Sequence, residues 1–91
     1  HFSLSQNYPN PFNPVTTFYY NLPVKTFVNI TIYDLAGSFV KDLVKQVEFP
    51  GLKSVQWNGT NNIGRPVSAG TYFYTIEASS YRKTNKMILL K

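Results

Sequence analysis

Short runs of alternating apolar and polar side chains fill most of this 91-residue chain, and Gly, Pro and Asn interrupt them at regular intervals. Aromatic residues make up 16% of the sequence. Together these features predict an all-β sandwich. The length sets one domain, residues 1–91, with a limited but sufficient core. Seven Phe, seven Tyr and one Trp can supply that core, since a large ring buries about 150–250 Å². Charged residues are only 14% of the chain, so charge repulsion does not oppose collapse.

Taken in order, a short segment Phe2–Ser5 precedes the first strongly periodic run, Val15–Leu22. There Phe18, Tyr20 and Leu22 share one face, and Thr17 and Tyr19 the other. Phe27–Asp34 repeats the pattern with Val28, Ile30 and Ile32 on one side, and Pro23 marks the turn between the two strands. Asp34–Ser38 predicts a hairpin connection with Gly37 in the left-handed region. Ser38–Val44 returns as a strand that becomes irregular near Leu43, with a short helix over Lys41–Val47 as the alternative. Pro50-Gly51 predicts a turn, and Lys53–Asn58 a strand with Val55 and Trp57 on its apolar side. Asn58–Pro66 is a loop of residues that tolerate left-handed backbone. Thr71–Ser79 and Arg82–Leu90 complete the set. About seven antiparallel strands at this spacing predict an immunoglobulin-like β-sandwich.

Several function classes lose their chemistry here. The acids are Asp34, Asp42, Glu48 and Glu77, and the one His is residue 1. This set offers neither a nucleophile with its base nor a convergent carboxylate pair, so no catalytic residue is assigned. With no Cys there is no thiolate ligand or disulfide. The Asn58–Gly64 loop has amide oxygens but no carboxylate, so turn formation is expected there, and no metal or cofactor site is assigned. The net charge of +5 is scattered, with Arg82, Lys83, Lys86 and Lys91 the densest group. That distribution predicts no nucleic-acid partner and leaves weak attraction to anionic surfaces such as lipopolysaccharide. Trp57 is in phase with the core, while Tyr19, Tyr33, Phe73 and Tyr81 are the candidates for an exposed sugar-binding strip.

Before the first long strand lies "QNYPNPFNPVTTFYY", Gln6–Tyr20. Its motif is Tyr8, Pro9, Asn10, Pro11, Phe12, Asn13 and Pro14. Proline limits its own backbone and that of the preceding residue, so the segment is expected to follow a stiff, extended path, pinned to the sandwich edge by Tyr8 and Phe12. At the other terminus Lys86, Met87, Ile88, Leu89, Leu90 and Lys91 place four apolar residues in succession. Such a run predicts cover on both faces, as in a central strand. This segment is the candidate recognition strand, read by a partner through strand addition along an exposed edge.

The stretches "FSLSQNYPNPFNPVTTFYYNLP", "VNITIYDLAGSFVKDLV", "VQWNGTNNIGRPVSAGTYFYTIEA" and "KMILLK" cover nearly the whole chain. As an ordered set they resemble the C-terminal sorting domain of the type IX (Por) secretion system. That family shares its sandwich with the Ig-like domain of the flagellar hook-capping protein. Members often carry Asp after the Trp and within the following loop, where this chain has Asn58 and Asn61 or Asn62. Any cation site in those relatives is therefore in doubt here.

The resemblance implies a non-catalytic address label at the C-terminus of a larger secreted protein. Its implied partners are an N-terminal passenger, an outer-membrane translocon and a sortase-like peptidase that removes the domain. The implied location is the cell surface or medium, reached through the periplasm, close to anionic lipopolysaccharide. Two other expectations stand beside it: an accessory carbohydrate-binding or spacer module of a polysaccharide-degrading enzyme, and a hook-cap assembly domain.

Overall fold

A computed structural model of the chain describes residues 1–90 and has seven strands. They are β1 (Ser3–Leu4), β2 (Thr16–Leu22), β3 (Thr26–Asp34), β4 (Phe39–Glu48), β5 (Gly51–Trp57), β6 (Gly70–Ala78) and β7 (Tyr81–Leu89). All neighbours within the sheets are antiparallel, in a three-stranded sheet β1-β2-β5 and a four-stranded sheet β4-β3-β6-β7. The predicted sandwich is thus present, with strand bounds within a few residues of those read from periodicity.

Alternation decides which residues meet in the middle. Phe18, Tyr20 and Leu22 of β2 are buried, as are Val28, Ile30 and Ile32 of β3 and Tyr72, Tyr74, Ile76 and Ala78 of β6. Phe18 and Tyr74 stack between the sheets with centroids 4.2 Å apart. Gly37 has φ 86° in the β3–β4 connection, where Asp34 Oδ1 accepts the N–H groups of Ala36 and Ser38 at 3.0 and 2.8 Å. The turn chemistry expected of Asp34–Ser38 therefore holds.

One alternative and one expectation fail, each for a physical reason. The strand read from Ser38 is present and runs on to Glu48, so the alternative helix over Lys41–Val47 is not formed. Ile30 pairs with Val44 but Thr31 with Asp42, and Ile32 pairs with Lys41 but Tyr33 with Phe39. Leu43 and Val40 are the extra residues of these two irregularities, and each shifts the side-chain phase of the strand. Second, β7 is an edge strand rather than a central one. Met87 and Leu89 face the core, while Ile88 and Leu90 are 37% and 49% exposed.

The molecule measures 37 Å along its long axis, against 23 and 20 Å across. Its two ends are therefore separate surfaces. One gathers the start of the chain, the β2–β3 turn, the β4–β5 crossing and the β6–β7 turn. The opposite end holds the β3–β4 hairpin and the loop Asn58–Ala69 that crosses from β5 to β6.

Candidate recognition surface at the closing seam

The lead-in segment and the last strand, singled out separately in the sequence, lie against each other. After β1 the chain stays on β2 as far as Tyr8, whose N–H donates to Thr17 O at 2.8 Å and whose carbonyl accepts Thr17 N–H at 3.0 Å. It then crosses to the other sheet, where Phe12 forms a parallel bridge with Leu89. Phe12 N–H donates to Ile88 O at 3.0 Å, and Leu90 N–H donates to Phe12 O at 2.8 Å. Asn10 Oδ1 accepts Ile88 N–H at 3.0 Å, and Gln6 Nε2 donates to Lys86 O at 2.8 Å.

The same seam continues back to the start of the chain. Phe2 stacks on Tyr81 at 5.3 Å, and Lys83 Nζ reaches Leu4 O at 3.3 Å. Asn85 Nδ2 and Tyr74 Oη both donate to Ser5 O, at 3.1 and 2.8 Å. Residues 2–12 and 81–90 thus run side by side in one direction, joining the open edges of the two sheets. An uncovered strand edge invites pairing with other chains, and here the edge of β7 over Lys86–Leu90 is covered from within.

Phe12 anchors the seam as expected: it is 1% exposed and packs on Trp57 with centroids 5.8 Å apart, while Trp57 meets Tyr72 edge-on at 5.2 Å. Tyr8 does not. Its side chain is 82% exposed, and only its backbone is held. The second anchor is Asn7, which carried no recognisable signal beyond its place before the prolines. Asn7 is buried, and its Nδ2 donates to Thr16 Oγ1 at 3.0 Å and Pro9 O at 3.2 Å. Thr16, also buried, donates to the same Pro9 carbonyl at 2.8 Å. The path is bent at Pro9–Pro11 and Asn13–Pro14 rather than straight, and all three X–Pro bonds are cis. Pro9, Asn10, Pro11, Asn13 and Pro14 are exposed.

Of the candidate recognition residues, Met87 and Leu89 belong to the core, whereas Lys86, Ile88 and Leu90 present side chains to solvent. Lys91 lies outside the described residues. Because backbone groups of Lys86, Ile88 and Leu90 already bond to the lead-in segment, strand addition on this edge requires that segment to lift. Arg82 is paired with Glu77, whereas Lys83, whose Nζ donates to Leu4 O, and exposed Lys86 keep their positive charge beside the seam.

The neighbouring loop spends its amides on itself. Asn61 Oδ1 accepts Ile63 and Arg65 N–H groups at 3.2 and 3.0 Å, and Asn62 Oδ1 accepts Asp42 N–H at 3.0 Å. Trp57 Nε1 donates to Thr60 O at 2.8 Å. Turn formation accounts for these oxygens, as the sequence predicts. The aromatic candidates for a sugar strip occupy different surfaces. Trp57 is buried, Tyr81 is stacked on Phe2, Tyr19 lies on the outer face of the three-stranded sheet, and Tyr33 faces Phe73 across β3 and β6. Burial raises the pKa of the Tyr20 and Tyr74 hydroxyls, and for Tyr20 the hydrogen bond to Glu48 and that carboxylate's charge raise it further.

Comparisons with known proteins agree with this architecture. The chain is similar over 99% of its length to part of dimeric latent PorU from Porphyromonas gingivalis, with TM-score 0.72 and 21% identity. It is likewise similar over 99% of its length to part of PorZ from the same organism, described as an essential bacterial surface component of the type-IX secretion system, with TM-score 0.65 and 19% identity. At these identities the likeness shows the fold. The chain spans only 9% and 11% of those two proteins. FlgD from Xanthomonas campestris, described through its role in hook capping for flagellar assembly, is 26% identical with TM-score 0.66; the match covers 97% of this chain and 66% of that one. No curated protein matches the chain. The family model of the FlgD Ig-like domain matches residues 15–82, well over half of the sequence, and the chain belongs to that family.

Proposed function

We propose that the chain is a non-catalytic C-terminal sorting domain that directs a passenger across the outer membrane through the type IX secretion system. The observation that carries this reading is the seam. The opening motif Tyr8–Pro14, the strand Gly70–Tyr74 and the terminus Lys86–Lys91 carry the sorting-domain resemblance as an ordered set, and the first and last of these are joined within the described residues by Phe12 and Asn10. A folded label whose first and last segments form one surface presents a signal only when the whole domain is folded. A structural neighbour with this fold, PorZ, is described as an essential surface component of that secretion system, which supports the same reading. In it, an outer-membrane translocon contacts Lys86, Ile88 and Leu90, and a sortase-like peptidase acts on the junction with the passenger. The domain then works at the cell surface, near anionic lipopolysaccharide.

The test is export of a reporter carrying its own inner-membrane signal and fused ahead of residues 1–91, in a type IX-competent bacterium and in a translocon-deficient mutant. Export confined to the competent strain supports the reading. Retention of the folded fusion in both, while the host's own cargo is still exported, overturns it. The family match and the likeness to FlgD favour a second reading, an assembly module of a hook-cap type. It predicts binding to flagellar subunits and no translocon-dependent export.

A further inference from the structure

The outer face of the three-stranded sheet differs in chemistry from its counterpart. On β2, Thr17, Tyr19 and Asn21 alternate with the buried Thr16, Phe18, Tyr20 and Leu22, so they point away from the core. Their partners on β5 are Gln56, Ser54 and Leu52, all exposed and out of phase with core-facing Trp57. Ser3 of β1 lies opposite Asn21, and Tyr8 is bridged to Thr17. This face is thus made of Tyr, Ser, Thr, Asn and Gln with Leu52 at one corner. Among the described residues it carries no Asp, Glu, Lys or Arg. Solvent-facing sheets ordinarily carry charge, and the outer face of the four-stranded sheet does. There Asn29 lies between Lys45 and Glu77, Glu77 pairs with Arg82, and Phe73 pairs with Lys86.

Two tyrosine rings stand on the uncharged face without a part in the core. Tyr8 is 82% exposed and Tyr19 49%. The Tyr8 main chain is fixed nonetheless, bonded to Thr17 in both directions and followed by Pro9. Tyr19 N–H donates to Ser5 Oγ at 2.8 Å. Diagonal neighbours across an antiparallel pair are about 7–8 Å apart, so the two rings leave adjacent points of a rigid floor. Exposed Ser54 and Gln56 add a hydroxyl and an amide beside them. The main chain under these groups is ordered before any ligand arrives, which lowers the cost of binding.

We infer that this face binds a neutral, β-1,4-linked polysaccharide. A pyranose ring has an apolar C–H face that stacks on an aromatic ring, and a hydroxyl rim that needs donors and acceptors. Tyr8 and Tyr19 supply the first, and Thr17, Ser54 and Gln56 the second. Charge selects the class. An acidic polymer gains nothing from a face without cations, whereas a neutral one strips water from no charged group. Shape selects the linkage: the face is an open floor about 10 Å wide over three strands rather than a concave pocket, and a β-1,4 chain is an extended ribbon that lies flat on such a floor. A protein partner needs apolar anchors at the centre of its patch, and here the one aliphatic side chain, Leu52, is at the corner. Lys86 and Ile88 lie on the other sheet, so this site is independent of the export reading.

Titration of the 91-residue chain with cellohexaose, xylohexaose and mannohexaose, followed by amide NMR, tests the inference. At least one is expected to shift the amides of Tyr8, Tyr19, Ser54 and Gln56 while those of β3, β4, β6 and β7 stay in place. Binding is expected to persist at about 1 M salt, where the screening length is only about 3 Å. Tyr8→Ser and Tyr19→Ser are each expected to weaken it about tenfold, the scale of one lost stacked ring. Phe39→Ser, on the outer face of the other sheet, is expected to leave it unchanged. The shift map is read on the parent protein, so an unstable variant does not decide the outcome. No shift with any of the three sugars overturns the inference. So does tighter binding of a mannuronate hexamer that vanishes with salt, which assigns the affinity to net positive charge. Shifts of the same amides on raising protein concentration alone overturn it in favour of a second copy.

Discussion

Phe12 and Ile88, 76 residues apart in sequence, share a main-chain hydrogen bond of 3.0 Å, and Phe12 O accepts the next outward N–H, that of Leu90, at 2.8 Å. A proline-rich lead-in thereby acts as the missing neighbour of an edge strand. Its side chain supplies the adhesion, because the ring is buried on Trp57 while the backbone does the pairing.

Phe12→Ala is expected to cost about 3–5 kcal/mol, the usual range for removing a buried ring that its surroundings cannot replace. Phe12→Leu retains most of the apolar contact and should recover more than half of that loss. Urea unfolding followed by Trp57 fluorescence reads both. Similar midpoints for Phe12→Ala and the parent would show that the segment is not anchored by this ring.

The Asn7–Thr16–Pro9 cluster predicts a smaller, polar effect. Thr16→Val removes the donor to Pro9 O and the acceptor for Asn7 Nδ2, leaving the two with only their mutual hydrogen bond at 3.2 Å. Two lost hydrogen bonds of about 0.5–1.5 kcal/mol each give an expected loss of about 1–3 kcal/mol. Tyr8→Ser, on an exposed side chain in the same segment, should change the midpoint by less than about 0.5 kcal/mol. The contrast between the two, measured under identical conditions, separates the buried anchor from the exposed one.

Asn10→Ala removes one side-chain acceptor at an exposed position, so global stability should fall by only about 0.5–1.5 kcal/mol. The Ile88 amide should be affected specifically. Native-state exchange at that N–H is expected to accelerate more than at Met87 or Leu89, which lie in the ladder with β6. Uniform acceleration along β7 would mean that Asn10 acts on overall stability instead.

Legibility in the sequence followed periodicity. β2, β3 and β6 keep strict alternation, so their inward residues were readable down to Phe18, Ile30 and Tyr74. β4 was not, because the irregularities at Val40 and Leu43 break the phase that alternation relies on. The four successive apolar residues of Met87–Leu90 were ambiguous for a different reason. Composition records that two faces are apolar, but not that one faces solvent at an edge held by a distant segment. For the same reason the lead-in motif was visible while its buried anchors were only half identified. Tyr8 and Phe12 look alike as ring donors, and a lone Asn7 carries no periodic signature.

The two buried phenols predict how stability depends on alkaline pH. Desolvation raises the pKa of both Tyr20 and Tyr74, and for Tyr20 the Glu48 carboxylate adds to it by hydrogen bond and by charge. In the unfolded chain each ionises near its ordinary value of about 10. Above that pH the unfolded state therefore holds fewer protons than the folded one, and the sign of the linkage makes stability fall as pH rises. Stability from these groups is fully present below about pH 10 and is lost on going upward, by about 1.4 kcal/mol per pH unit for each phenol while only the unfolded form has ionised. Tyr20→Phe removes one of the two contributions, so its urea midpoint should decline less steeply than that of the parent above pH 10. Glu48 then keeps Gln46 Nε2 at 3.0 Å as its remaining partner, which limits the cost at neutral pH. A slope unchanged by Tyr20→Phe would place the alkaline loss in other groups and deny Tyr20 this linkage.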